Sequence, residues 1–139
     1  MSNVPITPLH VGISVRDMDE AIAWYREFLG FEPVYDAYMP PLKARVAFIR
    51  NGDFELELFQ HDSSLPLPPE RLLPNDDIRT QGAKHICFYH PDVTAFLTDL
   101  KARGVEVVLG PQVMPDGGTM GFIHDPGGTL IEFVQPAGR

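Results

Sequence analysis

Four residues in this chain have types and spacing that suit metal chemistry: His10, Glu57, His85 and Glu132. Glu57 follows His10 by 47 positions, and Glu132 follows His85 by the same 47. Two neutral imidazoles and two carboxylates form a donor set for a divalent transition metal, whose charge would offset the cost of burying both acids. Four protein ligands leave an octahedral ion two adjacent open positions, enough to hold a substrate through two oxygens. A lone strand histidine is ordinarily a packing residue, and Glu-Leu-Glu-Leu is ordinary half-exposed strand. The equal spacing of two like pairs is what argues for a metal.

The elements that must carry these residues form an internal repeat. LHVGISVRDMDEAIAWYREFLGFEPV at 9–34 aligns with KHICFYHPDVTAFLTDLKARGVEVV at 84–108, and VAFIRNGDFELEL at 46–58 with MGFIHDPGGTLIEF at 120–133. Phe48 and Phe122 stand equally far, 18 positions, beyond Gly30 and Gly104. Alternation predicts a strand over 9–15. Asp17, with Glu20 three residues on, predicts a boxed helix start. Ile22, Tyr25, Phe28 and Leu29 are its expected apolar stripe, and Gly30 its end. Strands are expected near 31–36, 44–50 and 53–60, the last two joined at Asn51-Gly52. The second half repeats the plan with a strand over 84–90, a helix over 92–103 burying Val93, Phe96, Leu97 and Leu100, and strands near 105–109, 119–124 and 129–135.

The fold class is therefore α+β, with a βαβββ module at 7–60 and another at 83–136. Between them, 61–82 is a connector whose proline density forbids a continuous helix or central strand, so it reads as a surface linker. A module of about 50 residues cannot hold a core alone, so 1–139 is expected to form one domain of two packed modules. Strand parity sends Val11, Ile13 and Val15 toward the helix and His10, Gly12 and Ser14 to the other face. The same parity exposes His85, Cys87, Tyr89, Glu55, Glu57, Phe59 and Glu132 there. Glu55 could ligate, but Glu57 is the residue that aligns with Glu132. Ser14, Phe59 and Cys87 are candidates for substrate contact, Tyr38 and Met39 for an apolar wall, and His61 for the rim. Cys87 also reads as a small buried packing residue, and His90 and His124 as surface groups. Lys43 and Arg45 read as solvated charge.

The 139 residues carry 19 acidic against 11 basic side chains, a formal charge of −8, so nucleic acid and anionic membranes have no source of attraction. The single cysteine cannot form an intrachain disulfide, and the opening MSNVPITPLH lacks a basic and then apolar run. A cytoplasmic setting is expected. Every apolar stretch is broken by charge before membrane-spanning length.

The runs LHVGISVRDMDEAIAWYREFLGF, GDFELELF, KHICF and HDPGGTLIEFVQP resemble the vicinal oxygen chelate superfamily, which includes glyoxalase I, methylmalonyl-CoA epimerase, fosfomycin-resistance proteins, bleomycin-binding proteins and extradiol dioxygenases. The resemblance spans nearly everything but the linker. It implies paired βαβββ modules in a cupped, mixed and antiparallel sheet around a metal, with His10, Glu57, His85 and Glu132 at the ligand positions. It further implies a small-molecule carbonyl substrate chelated through vicinal oxygens, with Glu132 as the proton-shuttling base and Glu57 as its opposite-face partner. A lyase or isomerase of glyoxalase I type is the leading activity implied, and an acyl-CoA epimerase, a ring-cleaving dioxygenase or a binding and resistance protein are the alternatives. Nickel, cobalt, zinc or manganese would serve the isomerase, and iron the dioxygenase. Ser14 stands where glyoxalase I carries a glutathione-holding arginine, His61 where it carries an asparagine, and Pro41 where the epimerases carry a second catalytic carboxylate. Many single-domain relatives are homodimers, so a homodimer is expected.

Overall fold

In the computed structural model, which describes residues 3–138, the chain divides into two compact units, Met1–Leu65 and Pro66–Arg139. The first holds β1 (His10–Ser14), α1 (Met18–Leu29), β2 (Glu32–Met39), a 3-10 turn (Pro40–Leu42), β3 (Ala44–Asn51) and β4 (Phe54–His61). Its sheet runs β1-β4-β3-β2, with β1 and β4 parallel and the other pairs antiparallel. The second holds a 3-10 turn (Pro69–Arg71), a single-turn α2 (Pro74–Asp77), β5 (Ile86–Tyr89), α3 (Val93–Ala102), β6 (Val107–Val113), β7 (Thr119–His124) and β8 (Leu130–Gln135). Its sheet runs β5-β8-β7-β6, again with only the first pair parallel. Each unit is the expected βαβββ.

The helices start where short polar side chains can satisfy free amides. Asp17 Oδ1 accepts from Glu20 N at 2.9 Å, and Asp92 Oδ1 from Ala95 N at 3.0 Å. The box at Asp17 is only half made, because the Glu20 carboxylate turns to Arg16 at 2.8 Å instead of reaching back to the cap. A second tie was not expected. Gln60 Oε1 accepts from Met18 N at 2.5 Å and Gln135 Oε1 from Val93 N at 3.1 Å, fastening each helix start to the end of its unit's last strand. Gly30 ends α1 at φ 72°, a backbone that costs a side chain but not glycine.

Each core lies between one helix and one sheet face. Leu56 and Leu58 are fully buried with Ile13, Val15, Met18, Ala21 and Tyr25. Burying each leucine contributes about 2 kcal/mol. Of the expected α1 stripe Tyr25 is fully buried and Ile22, Phe28 and Leu29 are half-buried, and the buried face extends to Met18 and Ala21 in the first turns. In the second unit Val93, Leu97 and Leu100 cover Ile131 and Phe133, with Phe96 at the margin.

Two expectations are corrected. Strand β5 begins at Ile86 rather than 84, so Lys84 and His85 precede the ladder. The linker is broken into short turns as its prolines require, but from Pro66 onward it belongs to the second unit, and Asp77 within it is 1% exposed. Among the described residues no helix is long and apolar enough to cross a membrane.

Candidate metal centre

In the first unit Gly12 stands opposite Glu57 in the parallel β1/β4 ladder, which places His10 on the same face one step back along its strand. His10 Nε2 lies 3.3 Å from Glu57 Oε1. The second unit builds the same pair: Cys87 stands opposite Glu132, and His85 Nε2 lies 3.2 Å from Glu132 Oε1. Both imidazoles rest on a phenylalanine of the strand beyond the carboxylate's own, β3 in the first unit and β7 in the second. His10 meets Phe48 edge-on at 5.1 Å and 82°, and His85 meets Phe122 at 4.8 Å and 87°. Phe48 is the register partner of Glu57, and Phe122 that of Glu132. The rings thus brace each histidine beside its carboxylate. Sequence reasoning aligned these phenylalanines but gave them no role in the site; their repetition beside a His–Glu pair was the available signal.

The pairs are reachable from solvent, with side-chain exposures of 29% and 22% in the first and 25% and 17% in the second. Neither Glu57 nor Glu132 has a Lys or Arg partner among the described residues, so each retains oxygens for a cation. Glu55 differs, because Arg50 Nε and a terminal nitrogen both donate to its Oε2, at 2.8 and 2.5 Å, and pair its charge. That ion pair separates the two carboxylates sharing a face. The donor chemistry fits a divalent ion, with two donors per unit. Among the described residues no group of three or more His, Cys, Asp or Glu side chains that could hold a metal ion comes together.

The other expected contacts divide by register. Met39 pairs with Ala44, and Ala44 with His61, on the face of Glu57, and Phe59 lies there as well. A Cβ at Gly12 would come within 3.3 Å of the Phe59 ring. Ser14 closes β1, exposed, opposite Phe59. Tyr38 does not join them. It pairs with Arg45 and so with Gln60 on the helix-facing side, and its hydroxyl donates to Asp62 Oδ2 at 2.7 Å. That bond pushes the phenol above its ordinary range. Adjacent strand residues alternate faces, so Tyr38 and Met39 cannot form one wall.

Cys87 is exposed, not a buried packing residue. Desolvation at the sulfur, then the charge and hydrogen bond of Glu132, push its thiol up to about 12. It is therefore a neutral group beside Glu132. His61 Nδ1 accepts from Ser63 N at 2.9 Å, which puts the neutral ring's proton on Nε2. His90 accepts from Asp92 N at 2.9 Å and stacks on Phe96, a structural role. His124 is not a surface group: its side chain is 12% exposed and held between the Glu106 carboxylate and the Leu72 carbonyl. Arg45 is not solvated charge either, because Asp36 at 2.7 Å and Asp19 at 2.9 Å clasp it. Those bonds raise its already high pKa and hold the Asp36 carboxyl low.

Known proteins resemble this chain in sequence and in fold. Residues 7–133 match the profile of the glyoxalase/bleomycin resistance protein/dioxygenase superfamily. The chain is 31% identical over 130 residues to an ethylmalonyl-CoA/methylmalonyl-CoA epimerase of Cereibacter sphaeroides, covering 91% of this chain and 95% of that one. It is 29% identical over 133 residues to the human mitochondrial methylmalonyl-CoA epimerase, covering 91% of this chain and 72% of that one. A glyoxalase family protein from Enterococcus faecalis superposes with a TM-score of 0.77 at 25% identity, covering 92% of this chain and 96% of that one. With a repeated βαβββ unit, a His–Glu pair at the same place in each, and a profile match over most of its length, the chain belongs to the glyoxalase/bleomycin resistance protein/dioxygenase superfamily.

Proposed function

We propose that this protein is a metal-dependent enzyme that moves a proton at the carbon beside a chelated carbonyl. The observation that supports it is the pair of register-equivalent His–Glu contacts, each braced by a phenylalanine and free of competing cations. In this reading the donors of a divalent metal are His10 and Glu57 in the first unit and His85 and Glu132 in the second. When bound, the ion supplies Lewis acidity to two vicinal substrate oxygens and makes the neighbouring C–H acidic.

The chain supplies the proton traffic. Glu132 accepts the proton from carbon, and Glu57 is the second carboxylate, delivering a proton to the other face. Retention of the stereocentre or its inversion then depends on which carboxylate returns the proton. The relatives favour inversion at an acyl-CoA thioester over the glyoxalase I type of isomerisation, because both epimerases match at 29–31% identity. Ser14, where glyoxalase I carries a glutathione-holding arginine, fits that preference. Pro41 lies in the Pro40–Leu42 turn, so no loop carboxylate stands before β3, and Glu57 takes the second proton-transfer role.

The deciding experiment offers cobalt-loaded protein a methylmalonyl thioester of coenzyme A, a hemithioacetal and a catechol in deuterium oxide. Deuterium at the thioester α-carbon with racemisation is the expected result. Conversion of the hemithioacetal alone would move the assignment to the glyoxalase I type. Oxygen uptake with catechol and iron would overturn proton transfer altogether.

A further inference from the structure

The two histidines are not held alike. His10 lies inside the β1 ladder, opposite Glu55. His85 lies outside its own, because the β5/β8 pairing begins at Ile86. The residue before each histidine differs as well. Leu9 is 73% exposed, whereas the Lys84 side chain is 20% exposed and anchored.

The anchor is Asp77, a carboxylate in the linker. Lys84 Nζ donates to the Asp77 carbonyl at 2.6 Å, to Asp77 Oδ1 at 3.2 Å, and to the Thr80 carbonyl. Arg71 Nε donates to the same Oδ1 at 2.8 Å, and a terminal nitrogen of Arg71 donates to the Ala83 carbonyl at 2.8 Å. Of the two residues immediately preceding His85, Lys84 is thus fastened by its side chain to the buried Asp77, and Ala83 by its carbonyl to Arg71, which itself pairs with that carboxylate. Asp77 is 1% exposed, and its Oδ2 has no partner among the described residues. A charge so buried is tolerated because two cations converge on it. The first module has no counterpart, since Arg71 and Asp77 belong to the linker rather than to the repeat.

We propose that the Asp77–Arg71–Lys84 cluster is a positioning device that fixes His85 beside Glu132 in place of the missing ladder contact. This rests on the metal reading for its purpose, but the position of His85 can be read without a metal. The cluster makes the linker part of the site's support rather than a passive connector. Outer-shell partners of this kind ordinarily contribute about tenfold to a hundredfold in metal affinity.

The test compares full-length wild type, Lys84→Met, Lys84→Arg, Asp77→Asn and His124→Phe. The last cuts a different linker tie, at Leu72. In metal-free protein, Lys84→Met is expected to shift or broaden the His85 ring resonances while those of His10 stay in place. Lys84→Arg restores them, and His124→Phe leaves them alone. Cobalt affinity is expected to fall about tenfold or more in Lys84→Met. Should Asp77→Asn fail to fold, Lys84→Met carries the test, because it leaves the Arg71–Asp77 pair intact. Unchanged His85 resonances in Lys84→Met would overturn the proposal, and so would an equal disturbance by His124→Phe. Wild type that binds no cobalt would sink the metal reading alone, leaving the ring measurements to decide the role of the cluster.

Discussion

At the scale of single residues, Glu132 and Cys87 form a unit that can be interrogated separately from the metal. Glu132→Gln keeps the shape of the pair with His85 but removes the base. Deuterium exchange at the substrate carbon is expected to fall by a factor of about 100 or more, with the fold intact by circular dichroism. Exchange at the wild-type rate would reassign the base. The Cys87 thiol, pushed to about 12, is neutral through the physiological range and should react with iodoacetamide far more slowly at pH 8 than a free thiol does. Removing the neighbouring charge in Glu132→Gln should speed alkylation, and an unchanged rate would show that Glu132 does not act on the sulfur. Asp77 gives a pH signature. Burial pushes its carboxyl upward, but the hydrogen bonds and charges of Arg71 and Lys84 outweigh this and hold it below its ordinary value. A lowered native pKa means that its stabilisation is present above about pH 4 and is lost as pH falls through the native value. Asp77→Asn is expected to cost about 2 kcal/mol at neutral pH, and the gap to wild type in urea unfolding should narrow below pH 4.

At the scale of elements, each module depends on seating its helix. Gly121 in β7 lets α3 approach the sheet closely: a Cβ there would come within 2.2 Å of Leu97 Cδ1. Gly121→Ala must push α3 outward or force Leu97 off its rotamer, at a cost of about 1–3 kcal/mol. Urea midpoints measure this, and an unchanged midpoint would mean that Leu97 repacks freely. The same helix carries the Gln135 tie, repeated as Gln60 on α1. Two polar ties at equivalent places show that the helix-to-strand angle is specified twice, by apolar burial and by a directed hydrogen bond.

At the scale of the whole molecule, an ion at the proposed donors should tie stability to metal concentration. A ligand that binds only the native state adds about 2.7 kcal/mol at a hundredfold excess over its dissociation constant. Cobalt is therefore expected to raise the melting temperature and a chelator to lower it. Titration counts the ions bound per chain, and binding of none would overturn the metal reading. His10→Ala and His85→Ala should each weaken binding, because each removes one of the two donors proposed in its unit.

How much of this was legible in the residues follows from the range of the forces involved. Repeats, caps and alternation are local, so the βαβββ plan, the Asp17 cap, the Gly30 terminator and the shared face of His10 and Glu57 could be read along the chain. What could not be read depended on partners distant in sequence. Arg50 neutralising Glu55 separates the ligand candidate from its neighbour, and a pairing register places Tyr38 on the wrong face. The side-chain tie at the start of α1 comes from Gln60, 42 positions beyond Met18. The linker's prolines announced broken structure but not that Asp77 would be buried among cations. By itself the sequence determined which donors exist and which strand face each would take, because both follow from residue type and a period of two. Only the tertiary structure decided which carboxylates remain free and what holds His85 in place, because charge neutralisation and burial are properties of neighbours in space.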